Sequence, residues 1–149
     1  MGTIILIAII GSIIASALGT AWYSGSSPMG KWHMQFLGFD KLTQEEKDRM
    51  IKEAKPKMWK TYSLQMILSF LTAFFIGFVT KYTVVNGGPE SAVYFYVIFA
   101  WIAFTVPMVG QNLLWSSKES SFLWKIFFSN SIYNLVTFLV TAFVATLMV

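Results

Sequence analysis

Four stretches of this chain carry no charged side chain: residues 1–30, 61–80, 91–117 and 126–149. Each is at least as long as the roughly 20 apolar residues a helix needs to cross about 30 Å of hydrocarbon. Between the first two lies the one long polar segment. The pattern predicts an all-α integral membrane four-helix bundle with spans at about 3–22, 59–81, 91–115 and 122–148. It leaves little chain for a separate soluble domain, so residues 1–149 read as one transmembrane domain with a loop at 23–58.

Local signals refine the boundaries. Gly25, Ser26, Ser27, Pro28 and Gly30 predict a turn-rich exit from span one. Thr43 and Glu46 match a capping box, in which each residue's side chain serves the other's backbone N–H. A short helix is expected from there to about Lys55, with Met50, Ile51 and Ala54 on one side. It reads as an amphipathic helix on the membrane surface, ended by Pro56, unless that proline opens the next span. Pro107 in span three removes a backbone donor and predicts an irregularity there. Residues 116–121 form a short connection, so spans three and four are expected as an antiparallel hairpin.

Only 12% of the 149 residues are charged, about half the share of a soluble domain. The distribution of that charge sets an expected orientation. Residues 31–60 hold eight basic and five acidic residues, a net charge of +3. Lys118 and Lys125 flank the later connection on the same side, whereas Lys81 alone stands on the other. The positive-inside rule then places loops 23–58 and 116–121 in the cytoplasm and both termini outside the cell (inner) membrane. The modest basic excess fits anionic lipid headgroups and is weak for nucleic acid. The absence of cysteine excludes disulfides and thiolate chemistry. The expected partners are the bilayer and its headgroups, with a homo-oligomer or another membrane protein as the further class.

Two kinds of residue inside the spans bear on function. Gly11, Ala15 and Gly19 in span one, and Ser69, Ala73 and Gly77 in span two, recur every four residues. Small side chains on one face let helices approach closely where lipid supplies no hydrophobic drive. The second set is polar: Ser16, Gln65, Ser69, Gln111, Asn112, Asn130 and Asn134. Counted from the cytoplasmic ends of their spans, these amides and hydroxyls reach similar depth. Asn130, Asn134, Thr137 and Thr141 also keep to one helix face. Unpartnered amides in hydrocarbon cost several kcal/mol each, on the order of a lost buried hydrogen bond. The face must therefore turn inward or toward an oligomer contact. Two readings stay open: interhelical packing, or a polar pocket facing the cytoplasm.

The juxtamembrane segment carries a motif. Trp22, Tyr23 and Ser24 follow Gly19 at a fixed spacing. Gly30, Lys31 and Trp32 then stand in succession, followed by Met34 and Gly38. As physics alone, this is an aromatic belt with a lysine at the interface. The pattern also resembles an uncharacterised family of small bacterial membrane proteins, domain of unknown function 1761. Trp101 to Phe104 and Asn112, then Asn130 and Tyr133, resemble the second half of that family. Met29 stands where the family often has Phe, and the residue it usually places before Trp32 is missing. The resemblance covers nearly the whole chain. It implies a four-span bundle and carries no activity.

No enzyme constellation is legible. Lys31, His33, Tyr23 and Asp40 are the only plausible reactive groups near the interface, and nothing in the sequence sets a base beside a nucleophile. His33 and Asp40 are too few to hold a metal ion, and no catalytic residue or cofactor is expected. The expected function is a non-enzymatic bundle that binds a partner or a small solute. The alternative is a small oligomeric carrier or channel using the polar cluster.

Overall fold

The computed structural model describes residues 1–114 and 120–149. Residues 116–119 of the predicted connection between spans three and four, with Lys118, lie outside the described residues, as does Trp115 at the end of span three; Ser120 and Ser121 belong to the last helix. Among the described residues the regular elements are all helical. Helix α1 spans Gly2–Trp22, α2 Pro28–Phe36, α3 Gln44–Val85, α4 Glu90–Ala100, α5 Val106–Leu114 and α6 Ser120–Met148. A widened π-type turn, Trp101–Thr105, joins α4 to α5. Among the described residues, four helical stretches are long and apolar enough to cross a membrane: Gly2–Trp22, Gln44–Val85, Glu90–Leu114 and Phe122–Met148.

The core is thin and built from small side chains. Helix α1 contributes Ile7 and Ala8, α3 Ala73 and Ile76, α4 Val93 and Val97, and α6 Ile126, Ala142 and Ala145. Much larger residues face outward instead. Phe75, Phe95, Phe104 and Leu147 are all more than half exposed, an arrangement suited to a lipid solvent rather than water. The helices can approach closely because the interior side chains are short. A Cβ on Gly11 would come within 2.6 Å of the Ala73 Cβ and 3.0 Å of the Thr141 Cγ2. One turn away, Ile7 of α1 covers Gly77 of α3. The two helices therefore run antiparallel with little between their backbones.

Buried hydroxyls are bonded mainly within their own helices. Thr80 donates to the Ile76 carbonyl and Thr141 to the Thr137 carbonyl, both at 2.8 Å. Such bonds spare a buried hydroxyl the cost of lost hydration.

Two segments differ in detail from the sequence expectation. The predicted capping box forms, with the Thr43 Oγ1 accepting from the Glu46 amide and the Glu46 carboxylate from the Thr43 amide. The helix it starts does not stop at Pro56, but continues through that proline for 42 residues to Val85. At about 1.5 Å per residue it is about 63 Å long, roughly twice the hydrocarbon thickness. Pro56 leaves the Lys52 carbonyl without its intrahelical donor. The residues around that proline are exposed on all sides of the helix, so solvent or headgroups can supply the missing bond. The short helix between the first two spans is α2, within and beyond the stretch read as a turn. Ser27 caps it by accepting from the Gly30 amide at 2.8 Å, and Pro28 occupies its first turn, where a missing N–H costs nothing.

The irregularity expected at Pro107 takes the form of the π-turn. A proline ring crowds the carbonyl four residues earlier, here that of Ala103. The wider turn around Ala103 accommodates that crowding.

The close contact at Gly11 yields a test. Gly11→Ala should destabilise the bundle by about 1–3 kcal/mol through overpacking, read as a lower thermal midpoint in detergent. Gly25→Ala, which meets nothing within 4 Å, should leave the midpoint unchanged.

Candidate functional site

Two hollows stand out in the bundle. One, about 840 Å³, runs along the outside of α3 and α4 and is lined mainly by Phe75, Phe78, Tyr96, Phe99, Phe104 and Phe138. It is mainly apolar and open to the surrounding lipid, and none of its described lining residues is charged. The other, about 850 Å³, lies between α1, α3 and α6; it too is open on one side, where Thr20, Thr61, Tyr62, Gln65 and Met66 are exposed, and it gathers the chemistry. Its wall includes Ser16, Gly19 and Thr20 of α1, Tyr23, His33 of α2, Thr61, Tyr62, Gln65 and Met66 of α3, Val109 of α5, and Asn130, Tyr133 and Asn134 of α6. Its size falls within the range of small-molecule sites.

The wall is held by bonds between elements far apart in sequence. The Tyr23 hydroxyl donates to the Asn130 Oδ1 at 2.8 Å. The Trp22 indole N–H donates to the Ser129 hydroxyl at 3.2 Å. The Tyr133 hydroxyl donates back to the Ala15 carbonyl at 2.9 Å. Gly19 makes room for this last bond, since a Cβ there would sit 2.9 Å from the Tyr133 oxygen. The Tyr23 ring meets Tyr133 edge-on at 5.3 Å and lies 5.1 Å from the His33 ring. Three rings, from the exit of α1, from α2 and from α6, thus form one end of the cavity.

The juxtamembrane motif explains how His33 reaches that end. The chain leaves α1 at Trp22 and must reverse within a few residues to enter α2. The Ser27 hydroxyl donates to the Trp22 carbonyl, while its oxygen caps α2. Gly30 packs against the turn at Tyr23 and Ser24 so tightly that a Cβ would strike the Ser24 carbonyl oxygen. With that reversal made, α2 folds back onto the start of α6. The Phe36 and Phe122 rings stack at 6.4 Å, and the Lys125 ammonium lies 6.0 Å from the centre of the Trp32 ring. Lys31 is exposed.

Partial burial shifts titratable groups at this end. Burial, with the Tyr133 phenol alongside, raises the Tyr23 phenol above its ordinary value. Burial also lowers His33 from 6.5, which favours the neutral imidazole. The His33 Nδ1 is buried and has no hydrogen-bond partner among the described residues.

The structure brings together four of the seven residues of the predicted polar cluster: Ser16, Gln65, Asn130 and Asn134. Ser69 lies one turn beyond Gln65 and accepts from its amide at 3.3 Å. Gln111 and Asn112 are exposed on α5 and do not line the cavity. Of the small-residue positions, Ala15 and Gly19 line it, whereas Gly11, Ala73 and Gly77 lie at the α1–α3 contact. Sequence reasoning passed over Thr61, Tyr62 and Met66 as site residues, and Ser129 as the partner of Trp22. Tyr133 had a usable signal: it stands three residues after Asn130, on the same helix face.

Neither the curated proteins nor the solved structures contain a match to the chain. A family model described as protein of unknown function (DUF1761) matches residues 6–146. That match spans α1 to α6 and takes in the juxtamembrane motif and the cavity wall, so the chain belongs to the DUF1761 family.

Proposed function

We propose that this protein is a membrane-embedded binding protein, with the cavity between α1, α3 and α6 as the seat of a small solute. One observation carries the reading: amides, hydroxyls and rings from four helices converge on an interhelical space that they do not fill. Side chains serving only to hold helices together would close against one another at native packing density. The reading is non-enzymatic, because among the described wall residues no nucleophile is bonded to a base.

The basic loop supports an orientation with residues 23–58 in the cytoplasm and both termini outside. The cavity then opens toward the cytoplasmic headgroups, where anionic lipids would meet the lysines of that loop. A second reading, an oligomeric carrier, draws support from Gln111 and Asn112. Exposed amides on an apolar helix gain from a neighbouring subunit that satisfies them.

Three outcomes are expected. The chain has no cysteine of its own, so a single Asn134→Cys reports on the cavity. N-ethylmaleimide should label it in detergent, and adding Thr61→Trp, at an exposed lining position, to fill the space should slow labelling by about tenfold, the equivalent of ~1.4 kcal/mol in access. Equal labelling with and without Thr61→Trp would count against an open cavity. For orientation, Ser26→Cys should react with a membrane-impermeant maleimide only after cells are opened, and Asn86→Cys in intact cells; the reverse pattern would overturn it. The third outcome concerns pH. A histidine whose folded pKa lies below its unfolded value binds fewer protons when folded, so its contribution to stability is lost as pH falls through about 6.5. The thermal midpoint of the wild type should drop more between pH 7.5 and 5.5 than that of His33→Gln, a difference that unfolding scans in detergent would measure.

A further inference from the structure

The character of the cavity wall narrows what it can hold. None of its described lining residues is Asp, Glu, Lys or Arg. The nearest lysines in sequence, Lys31 and Lys60, are exposed and outside the lining. A charged ligand would find no lining counter-ion to offset what hydration it gives up against the buried side of the wall, although Thr20, Thr61, Tyr62 and Gln65 leave the other side open. The wall is nevertheless polar. The Asn130 Oδ1 is taken by Tyr23, and the Asn134 amino group donates to the Asn130 carbonyl at 2.8 Å. One N–H of Gln65 donates to the Ser69 hydroxyl. Each amide NH2 has two hydrogens, so among the described residues these bonds leave N–H donors on Asn130, Asn134 and Gln65, and the amide oxygens of Gln65 and Asn134 as acceptors. The rings of Tyr23, Tyr133 and His33 close one end, and aromatic faces and edges favour a flat partner.

We infer that the cavity takes an uncharged, flat molecule that offers both a hydrogen-bond donor and an acceptor, in the class of aromatic amides and similar heterocycles. This rests on the binding reading above. The side-chain amides pair with an amide-like edge, the rings pack on its flat face, and the lack of lining charge excludes its acidic and basic analogues.

Three probes of one size and different charge test the inference: benzamide, benzoate and benzylammonium. Each is titrated calorimetrically into the full chain in detergent at pH 7.5. Benzamide should bind at least about tenfold more tightly than either ion. Asn130→Leu should abolish that binding, and Gln65→Leu, on a different helix, provides the same test should Asn130→Leu fail to fold. Benzoate or benzylammonium binding as tightly as benzamide would overturn the assignment, as would benzamide binding that survives in a folded variant. Silence from all three probes would also overturn it. If the cysteine at position 134 were labelled in that case, only the ligand class would fall; if it stayed unlabelled, the binding reading would fall as well.

Discussion

The near-contact of the α1 and α3 backbones at Gly11 and Ala73 governs the rest of the architecture. In lipid the helices gain nothing from hiding apolar surface from each other, because the surrounding chains are as apolar as they are. Association then depends on dispersion between closely fitted surfaces and on hydrogen bonds. The Gly11, Ala73 and Thr141 contact and the Ile7–Gly77 contact supply the fit over the half of the bundle that holds both termini. The other half carries larger side chains, Tyr23, Tyr62 and Tyr133, along the wall of the hollow, and the Ser16 hydroxyl of α1 meets the Met66 sulfur of α3 there at 2.8 Å. The same two helices thus pack backbone to backbone at one end and meet through longer side chains at the other.

The end with the hollow is tied together by cross-links. Tyr23 to Asn130, Trp22 to Ser129 and Tyr133 to Ala15 each tie α1 or its exit to α6. All three involve large aromatic groups with a polar tip, which can span a gap and still satisfy a buried partner. The reversal at Ser27 and Gly30 adds α2 as a cap over this end. Of the motif residues, Gly30 packs into the turn, Trp22 and Tyr23 bond to α6, and the Trp32 ring lies beside Lys125.

Much of this was legible in the chain. The charge-free stretches marked the helices, because hydrocarbon tolerates few ions. The capping box marked the start of α3, and the small-residue spacing marked the faces of α1 and α3. What remained hidden has physical reasons. Pro56 stops a helix only where the lost bond cannot be replaced, and sequence alone does not reveal that its surroundings are exposed. Ser27-Pro28 carries a helix-start signal, but the neighbouring glycines made the segment read as a turn. The depth of Gln111 and Asn112 was reckoned on a regular helix. The π-turn before them inserts an irregularity, which alters the direction a later residue faces. Tyr133 and Ser129 required knowledge of which helices adjoin.

The unbroken length of α3 has a mechanical meaning. Thr61, Tyr62, Gln65 and Met66 form one side of the cavity, and they sit near the middle of a single stiff rod. The part of that rod before them stands clear of the bundle. Pro56 stands between the start of that arm and the wall residues, at the point where the rod lacks a backbone bond. A push on the arm is therefore shared between tilting the wall and bending at that proline.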